Sequence, residues 1–217
     1  MTLTDTEAGP LRHADRFFIG GEWVAAASDA TIEVIDSGTE EHFFTVAEAR
    51  EADMARAVGA ARQAFDDGPW PRMTHAQRAD YLRALGAGLA GRADAVAQIW
   101  PRESGVLHKM ARAAGERAAG PFDFYAGLAD TFEWEEGVQP SIPGFGLLVR
   151  EPVGVVGAII PWNGPLGLIS YKLAPALVAG CTVILKSSPE APGEGYLVAE
   201  VAEEIGLPPG VVNVVTA

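Results

Sequence analysis

The stretch "EPVGVVGAIIPWNGPLGLISYKLAPALVAGCTVILKSSPEAP", residues 151–192, decides the fold. A β-branched run at 153–160 gives way to proline, tryptophan and asparagine. A helical stretch follows at about 166–179, then a second apolar strand at 181–185 that gives out at Lys186. Further on, a helix at about 193–205 and the strand at 211–215 complete a βαβαβ alternation. Such an alternation predicts a parallel sheet whose strands are buried on both faces. The core needs Val155, Val156, Ile159 and Ile160, but it has no use for Asn163 or Lys186 at the strand ends. In an open parallel sheet, ligands gather outside the carboxyl ends of the strands.

Each polar residue at that edge has two readings. The Asn163 amide is a neutral donor that can be aimed at an oxygen gaining negative charge, or it caps the next helix or closes a turn beside Gly164 and Pro165. Lys186 opens the polar loop "KSSPEAP", where an ammonium and helix-start amides can meet ribose hydroxyls or phosphate; alternatively it is a surface lysine. Lys172, among Leu173 and Leu177, runs its stem over apolar surface toward an acceptor or water. Cys181 follows Gly180 at the opposite end of its strand, with nothing near in sequence to activate it, and reads as a core filler. No G-x-G-x-x-G follows the first strand, so the usual dinucleotide phosphate turn is missing.

Upstream, residues 1–16 form a loose, polar tail. "FFIGGEWVAAA" and "ATIEVIDSG" are β-prone runs divided by turn formers, consistent with a small antiparallel pair. From Glu51 the period becomes helical, with Met54, Ala57, Val58, Ala61 and Phe65 on one stripe. "DDGPWPRM" breaks that helix, and Thr74 and Gln77 stand at capping-box spacing before a second helix. Ala-rich segments at about 92–100 and 108–130 predict two more helices, and residues 132–150 read as an extended hairpin arm.

The 217 residues carry 16 Lys plus Arg against 29 Asp plus Glu, a formal charge of −13 that argues against nucleic acid and anionic membrane as partners. No apolar run approaches a bilayer span, the start lacks the apolar core of a signal peptide, and one cysteine fits a reducing compartment, so the chain reads as cytoplasmic. The four histidines lack metal-ligand spacing, and no metal is expected.

The central block, with "AEEIGLPPGVVNVVTA", "FFIGGEW", "AARQAFDDGPWPRM" and "FYAGLAD", closely resembles the aldehyde dehydrogenase superfamily over nearly all of residues 17–217. The resemblance implies an α/β fold: the N-terminal part of the family fold, a Rossmann-like parallel sheet with flanking helices and a β-hairpin oligomerisation arm. Residues 17–131 would supply the first strands and helices of the cofactor-binding domain, 132–150 the arm, and 151–217 part of the NAD(P)-binding βαβαβ unit. It implies oxidation of a small-molecule aldehyde with NAD or NADP, and a homo-oligomer. A cysteine thiolate attacks the aldehyde, hydride passes to nicotinamide, and a glutamate activates water.

By the same resemblance, Asn163 looks like the oxyanion-stabilising amide, Lys172 like a lysine of the proton-relay network, and Lys186 like the adenosine-ribose lysine. Ile159, Ile160, Pro161 and Trp162 look like cofactor-channel residues, and Ser188, Pro189 and Glu190 like the rest of the ribose loop. Pro189 stands where many members have a ribose-binding glutamate, which leaves NAD and NADP both open. The family's catalytic cysteine and general-base glutamate would lie beyond Ala217, and Cys181 matches neither. The 217 residues alone are therefore expected to be inactive, with the Val-rich last strand exposing an apolar sheet edge. The alternative is a non-catalytic nucleotide-binding or interaction module.

Overall fold

The computed structural model describes residues 10–217. Four strands come first, β1 (Arg16–Ile19), β2 (Glu22–Ala25), β3 (Thr31–Ile35) and β4 (His42–Ala47). Helices α1 (Glu51–Asp66), α2 (His75–Ala90), α3 (Ala93–Ser104), α4 (His108–Glu116) and α5 (Ala119–Thr131) follow. After β5 (Glu135–Val138) and β6 (Gly146–Val149), the alternation runs β7 (Val155–Ile159), α6 (Pro165–Ala179), β8 (Thr182–Ser187), α7 (Gly193–Glu204) and β9 (Val212–Thr216).

The main sheet has the order β2-β1-β9-β8-β7. β7, β8 and β9 are parallel, and β1 lies antiparallel to β9, with Phe18 opposite Val214. The pleat sends alternate residues to different cores. Val183, Leu185, Val212 and Val214 join the large cluster that also takes in residues of α2, α5, α6 and α7. Ile184 and Val215 join a smaller one with Phe17, Ala57 and Ala61, under α1.

The structure corrects several expectations. β9 does not present a bare edge, because β1 pairs along its far side and every residue of β9 is buried. The edge strands are instead β2 and β7, and on β7 Ile159 is 65% exposed. The two N-terminal β-prone runs do not pair with each other. Gly20 and Gly21, both at positive φ, turn the first run back on itself as the β1–β2 hairpin, the geometry a two-residue turn demands. The second run, β3, pairs with β4, a strand the sequence reading did not separate.

The helix expected over 108–130 is two helices, because Pro121 has no N–H to continue α4 through Arg117 and Ala118. Of the loose tail expected over 1–16, residues 1–9 lie outside the described residues. Leu11 and Ala14 are buried, and the Ala14 carbonyl accepts from Ala47 N and Tyr196 Oη. The hairpin at 132–150 forms as β5–β6, pairing Glu135 with Val149 and Val138 with Gly146. The Thr74–Gln77 capping box is present at the start of α2.

Arg78 is a device the sequence reading passed over. Its guanidinium is buried and donates to Val178 O at the end of α6 and to Trp70 O and Met73 O ahead of α2. It thereby satisfies a helix-end carbonyl that has no partner within the helix. Among the described residues, no helix is long and apolar enough to cross a membrane.

Candidate functional site

The parallel register sets Ile159 of β7 opposite Lys186 of β8, so the two strands give out side by side. One further rung, Ile160 N to Lys186 O at 3.0 Å, carries the pairing past the end of β7. The next residues cannot follow. Pro161 has no donor, and the chain rises through Trp162 and Asn163 to Gly164, which caps α6, with Pro165 at its first position. That cap makes no side-chain hydrogen bond. Asn163 is therefore not the helix cap that one reading of the sequence allowed, and it stands exposed at the sheet edge.

Trp162 is half exposed, and its carbonyl accepts from Ser104 Oγ at 2.7 Å. Ser104 closes α3, 58 residues earlier in the chain, and nothing in the local pattern marks it. Lys172, on the second turn of α6, reaches back so that its ammonium donates to Ile159 O, which ties the helix to the end of β7. Ile159, Pro161 and Trp162 present apolar surface beside these polar groups. Ile160 differs from them: its side chain is 2% exposed and belongs to the large core, leaving only its backbone at the edge.

On the neighbouring strand, Lys186 is half-buried, and the chain turns tightly after Ser187. Ser188 and Ala191 form an isolated bridge, and Ser188 Oγ donates to Glu190 Oε2. That bond, with further help from Lys186, holds the Glu190 carboxyl below its ordinary range. The loop therefore carries an ammonium and an ionised carboxylate close together. Pro189, partly buried, adds no charge of its own.

The expected residues thus gather at one edge, with the Asn163 loop and the Lys186 loop on adjacent strands. Cys181 is buried and free at the other end of β8, where its N–H donates to Ala176 O and helps to close α6. The donor set at the near edge suits a nucleotide: a half-buried ammonium for hydroxyl or phosphate oxygens, a carboxylate for hydroxyl protons, and apolar surface for a flat ring.

Comparison with known proteins gives the same direction. The sequence profile of the aldehyde dehydrogenase family matches residues 23–217. Aldehyde dehydrogenase 1 of Tanacetum cinerariifolium is 41% identical over 201 residues, covering 92% of this chain and 40% of that protein. The NADP/NAD-dependent aldehyde dehydrogenase PuuC of Escherichia coli is 38% identical over 204 residues, covering 93% and 41%. Among solved structures, Mycobacterium tuberculosis aldehyde dehydrogenase in complex with NAD+ superposes with a TM-score of 0.88 at 41% identity, covering 94% of this chain and 42% of that one. Betaine aldehyde dehydrogenase from Staphylococcus aureus, also with NAD+, gives 0.90 at 35% identity, covering 95% and 41%. The chain spans about 40% of the length of the curated relatives it matches. With the profile spanning nearly all of its residues and sequence and fold agreeing, this chain belongs to the aldehyde dehydrogenase family.

Proposed function

We propose that this chain supplies the nucleotide side and the oxyanion donor of an NAD(P)-dependent aldehyde dehydrogenase that oxidises a small aldehyde to its acid. The observation that carries the reading is the parallel register that places Ile159 opposite Lys186 and so brings the Asn163 and Lys186 loops to one edge. Lys186 binds the hydroxyls of the adenosine ribose, with Ser188, Pro189 and Glu190 shaping the loop around it. Ile159, Pro161 and Trp162 line the channel, to which Ile160 contributes backbone. A bound nicotinamide would supply the hydride acceptor for the oxidation.

The Asn163 side chain donates to the substrate oxygen as charge develops on it, an interaction stronger in the transition state than before it. Lys172 holds the Ile159 carbonyl at the base of the same loop and takes part in proton relay from there. Pro189 offers no carboxylate against a 2′-phosphate, and that of Glu190 is turned onto Ser188, so NADP is accepted as well as NAD. Cys181, buried at the far end of β8, is not the nucleophile, and the 217 residues alone turn over no aldehyde. The β5–β6 arm exposes Val138, Ile142, Phe145, Leu147, Leu148 and Val149, an apolar band suited to a second copy of the chain.

The test is Asn163→Ala in a full-length version of the chain. Loss of the donor lowers kcat by roughly 10²–10³, the usual size for one oxyanion contact. In the same enzyme, NADP binds within about a hundredfold of NAD, a gap of about 2.7 kcal/mol. A kcat loss below about threefold, under 1 kcal/mol of transition-state stabilisation, removes Asn163 from this role.

A further inference from the structure

The last turn of α3 meets the first turn of α7 through two carboxyl groups. Glu103 is 7% exposed and Glu194 is fully buried. Glu103 Oε1 accepts from Gly193 N–H at 2.8 Å, while among the described residues Glu103 Oε2 and both oxygens of Glu194 meet no donor, and the two carboxyls lie within hydrogen-bond reach of each other once one holds a proton. The contact is fitted closely. A Cβ at Gly193 would stand 2.3 Å from Ile99 Cγ2 and 2.9 Å from Glu103 Oε1, and one at Gly195 would stand 2.1 Å from Ser187 Oγ. Glycine at both positions lets α7 settle against α3 and β8 with the carboxyls trapped between.

Among the described residues no ion pair reaches either group, and no set of three or more His, Cys, Asp or Glu side chains is arranged to hold a metal ion. A cavity of about 470 Å³ beside Glu103 has other charged lining residues of the same sign only, Glu33, Asp36, Glu40 and Glu190. The positive groups nearby are engaged elsewhere: Arg102 with Asp36, Lys172 with Ile159 O, and Lys186 beside Glu190. On α2, Arg78 is bound to backbone carbonyls, Arg83 to Asp80, His75 to the Trp134 ring and Tyr81 to the Trp70 ring. On α6 the other ionisable side chain, Tyr171, is exposed, and β9 has none. Farther along α7, Tyr196 is turned to Ala14 O, while Glu200 and Glu204 are met by Arg12 and Arg92.

Burial is the first cause that raises both groups. Glu194 is pushed up to about 7, and Glu103 rises well above the ordinary carboxylate range, with the neighbouring Glu194 adding to the effect. The two titrate as a pair.

We propose that Glu103 and Glu194 form a proton-dependent clamp, which while protonated ties the end of α3 to the first turn of α7, and which on losing its protons pushes that turn and the 186–190 loop away from α3. The neighbour of Glu103 in sequence, Ser104, holds the Trp162 carbonyl, so the end of α3 fastens both strand-end loops. The sign follows from proton binding. The folded pair keeps protons that the unfolded chain gives up near the ordinary carboxylate value. Its stabilising effect is complete below about 4.5 and is lost as pH rises through 7 and beyond. His75, lowered chiefly by burial, acts in the opposite sense and below about 6.5, outside the upper part of that window.

The experiment uses the 217-residue chain without nucleotide, so its outcome does not depend on the proposed function. Thermal unfolding is followed from pH 6 to 8.5, with tetramethylammonium chloride as the only salt, for wild type, Glu194→Gln and Glu103→Gln. Wild-type Tm falls by roughly 5–10 °C across this range, and that of Glu194→Gln, whose amide needs no proton, by less than about 2 °C. Amide exchange at residues 193–197 is faster in wild type than in Glu194→Gln at pH 8.5 and equal at pH 6. If Glu194→Gln does not fold, Glu103→Gln serves in both measurements. Parallel Tm curves, or equal exchange at pH 8.5, overturn the clamp. So does recovery of the wild-type Tm at pH 8.5 on adding potassium or magnesium chloride, since a cation and not a proton would then neutralise the pair.

Discussion

β7 and β8 are hydrogen-bonded neighbours in parallel register, both rich in β-branched residues, and they lie in different environments. In β8 every residue but Lys186 is buried, because β7 and β9 flank it and helices cover both faces. β7 has no strand beyond it, and Ile159 is exposed on the same face as half-buried Val155. Composition marks both as strands, and position in the sheet decides which one the core depends on. The candidate site straddles this difference, with the Lys186 loop rooted in the interior strand and the Asn163 loop in the edge strand.

The sharpest way to break that contrast is a matched pair of truncations. Leu185→Ala removes a fully buried side chain that packs near Gly195 of α7, and costs about 2–5 kcal/mol. Ile159→Ala, one strand away, stays within about 0.5 kcal/mol because its side chain is already in solvent. Urea unfolding of the two variants gives the comparison. Equal losses would mean that β7 is covered in solution, as by a second copy of the chain.

A second pair separates the loops by chemistry. On the proposed reading, hydrogen bonds from Lys186 to ribose would be made equally before and during reaction, so in a full-length version Lys186→Ala would raise the KM for nucleotide by about 10–100-fold, or 1.5–3 kcal/mol, and leave kcat within about threefold. This is the opposite pattern to Asn163→Ala. Steady-state kinetics with varied nucleotide distinguishes them, and a kcat loss for Lys186→Ala equal to its loss in kcat/KM would move that lysine from binding to chemistry.

What the sequence discloses follows the same division. The βαβαβ alternation, the β5–β6 hairpin and the Thr74 cap rest on local pattern, and the structure has all three. Local pattern could not say that β1 would close the far side of β9, since that pairing joins residues nearly 200 positions apart. It also could not say that β7 would be left at the edge. At the candidate site, the strand-end residues were legible as polar groups where a core has no use for them, but the burial of Ile160 depends on which face of β7 meets the large cluster. Glu103, Ser104 and Arg78 look like ordinary surface residues of helices, and they matter only because of what the fold brings to them from about 60–100 residues away.

Ser104 gives the smallest effect and the closest test of how the edge loop is held. Its hydroxyl is near the surface, so loss of the bond to Trp162 O costs only about 0.5–1 kcal/mol, and Ser104→Ala shifts Tm by no more than about 2–4 °C. The loop on β7 has few other restraints, because Pro161 cannot extend the ladder and Trp162 and Asn163 are exposed, so nearly all of that cost falls on it. Amide exchange at Trp162–Gly164 therefore accelerates by roughly 2–5-fold, the rate equivalent of that bond, while exchange across β8 is unchanged. Ser104→Thr, which keeps the hydroxyl, restores the slower rate. Uniform acceleration over β7 and β8 would instead assign Ser104 to the stability of α3 as a whole, and the edge loop would then owe its shape to Lys172 and the Pro161–Pro165 turn alone.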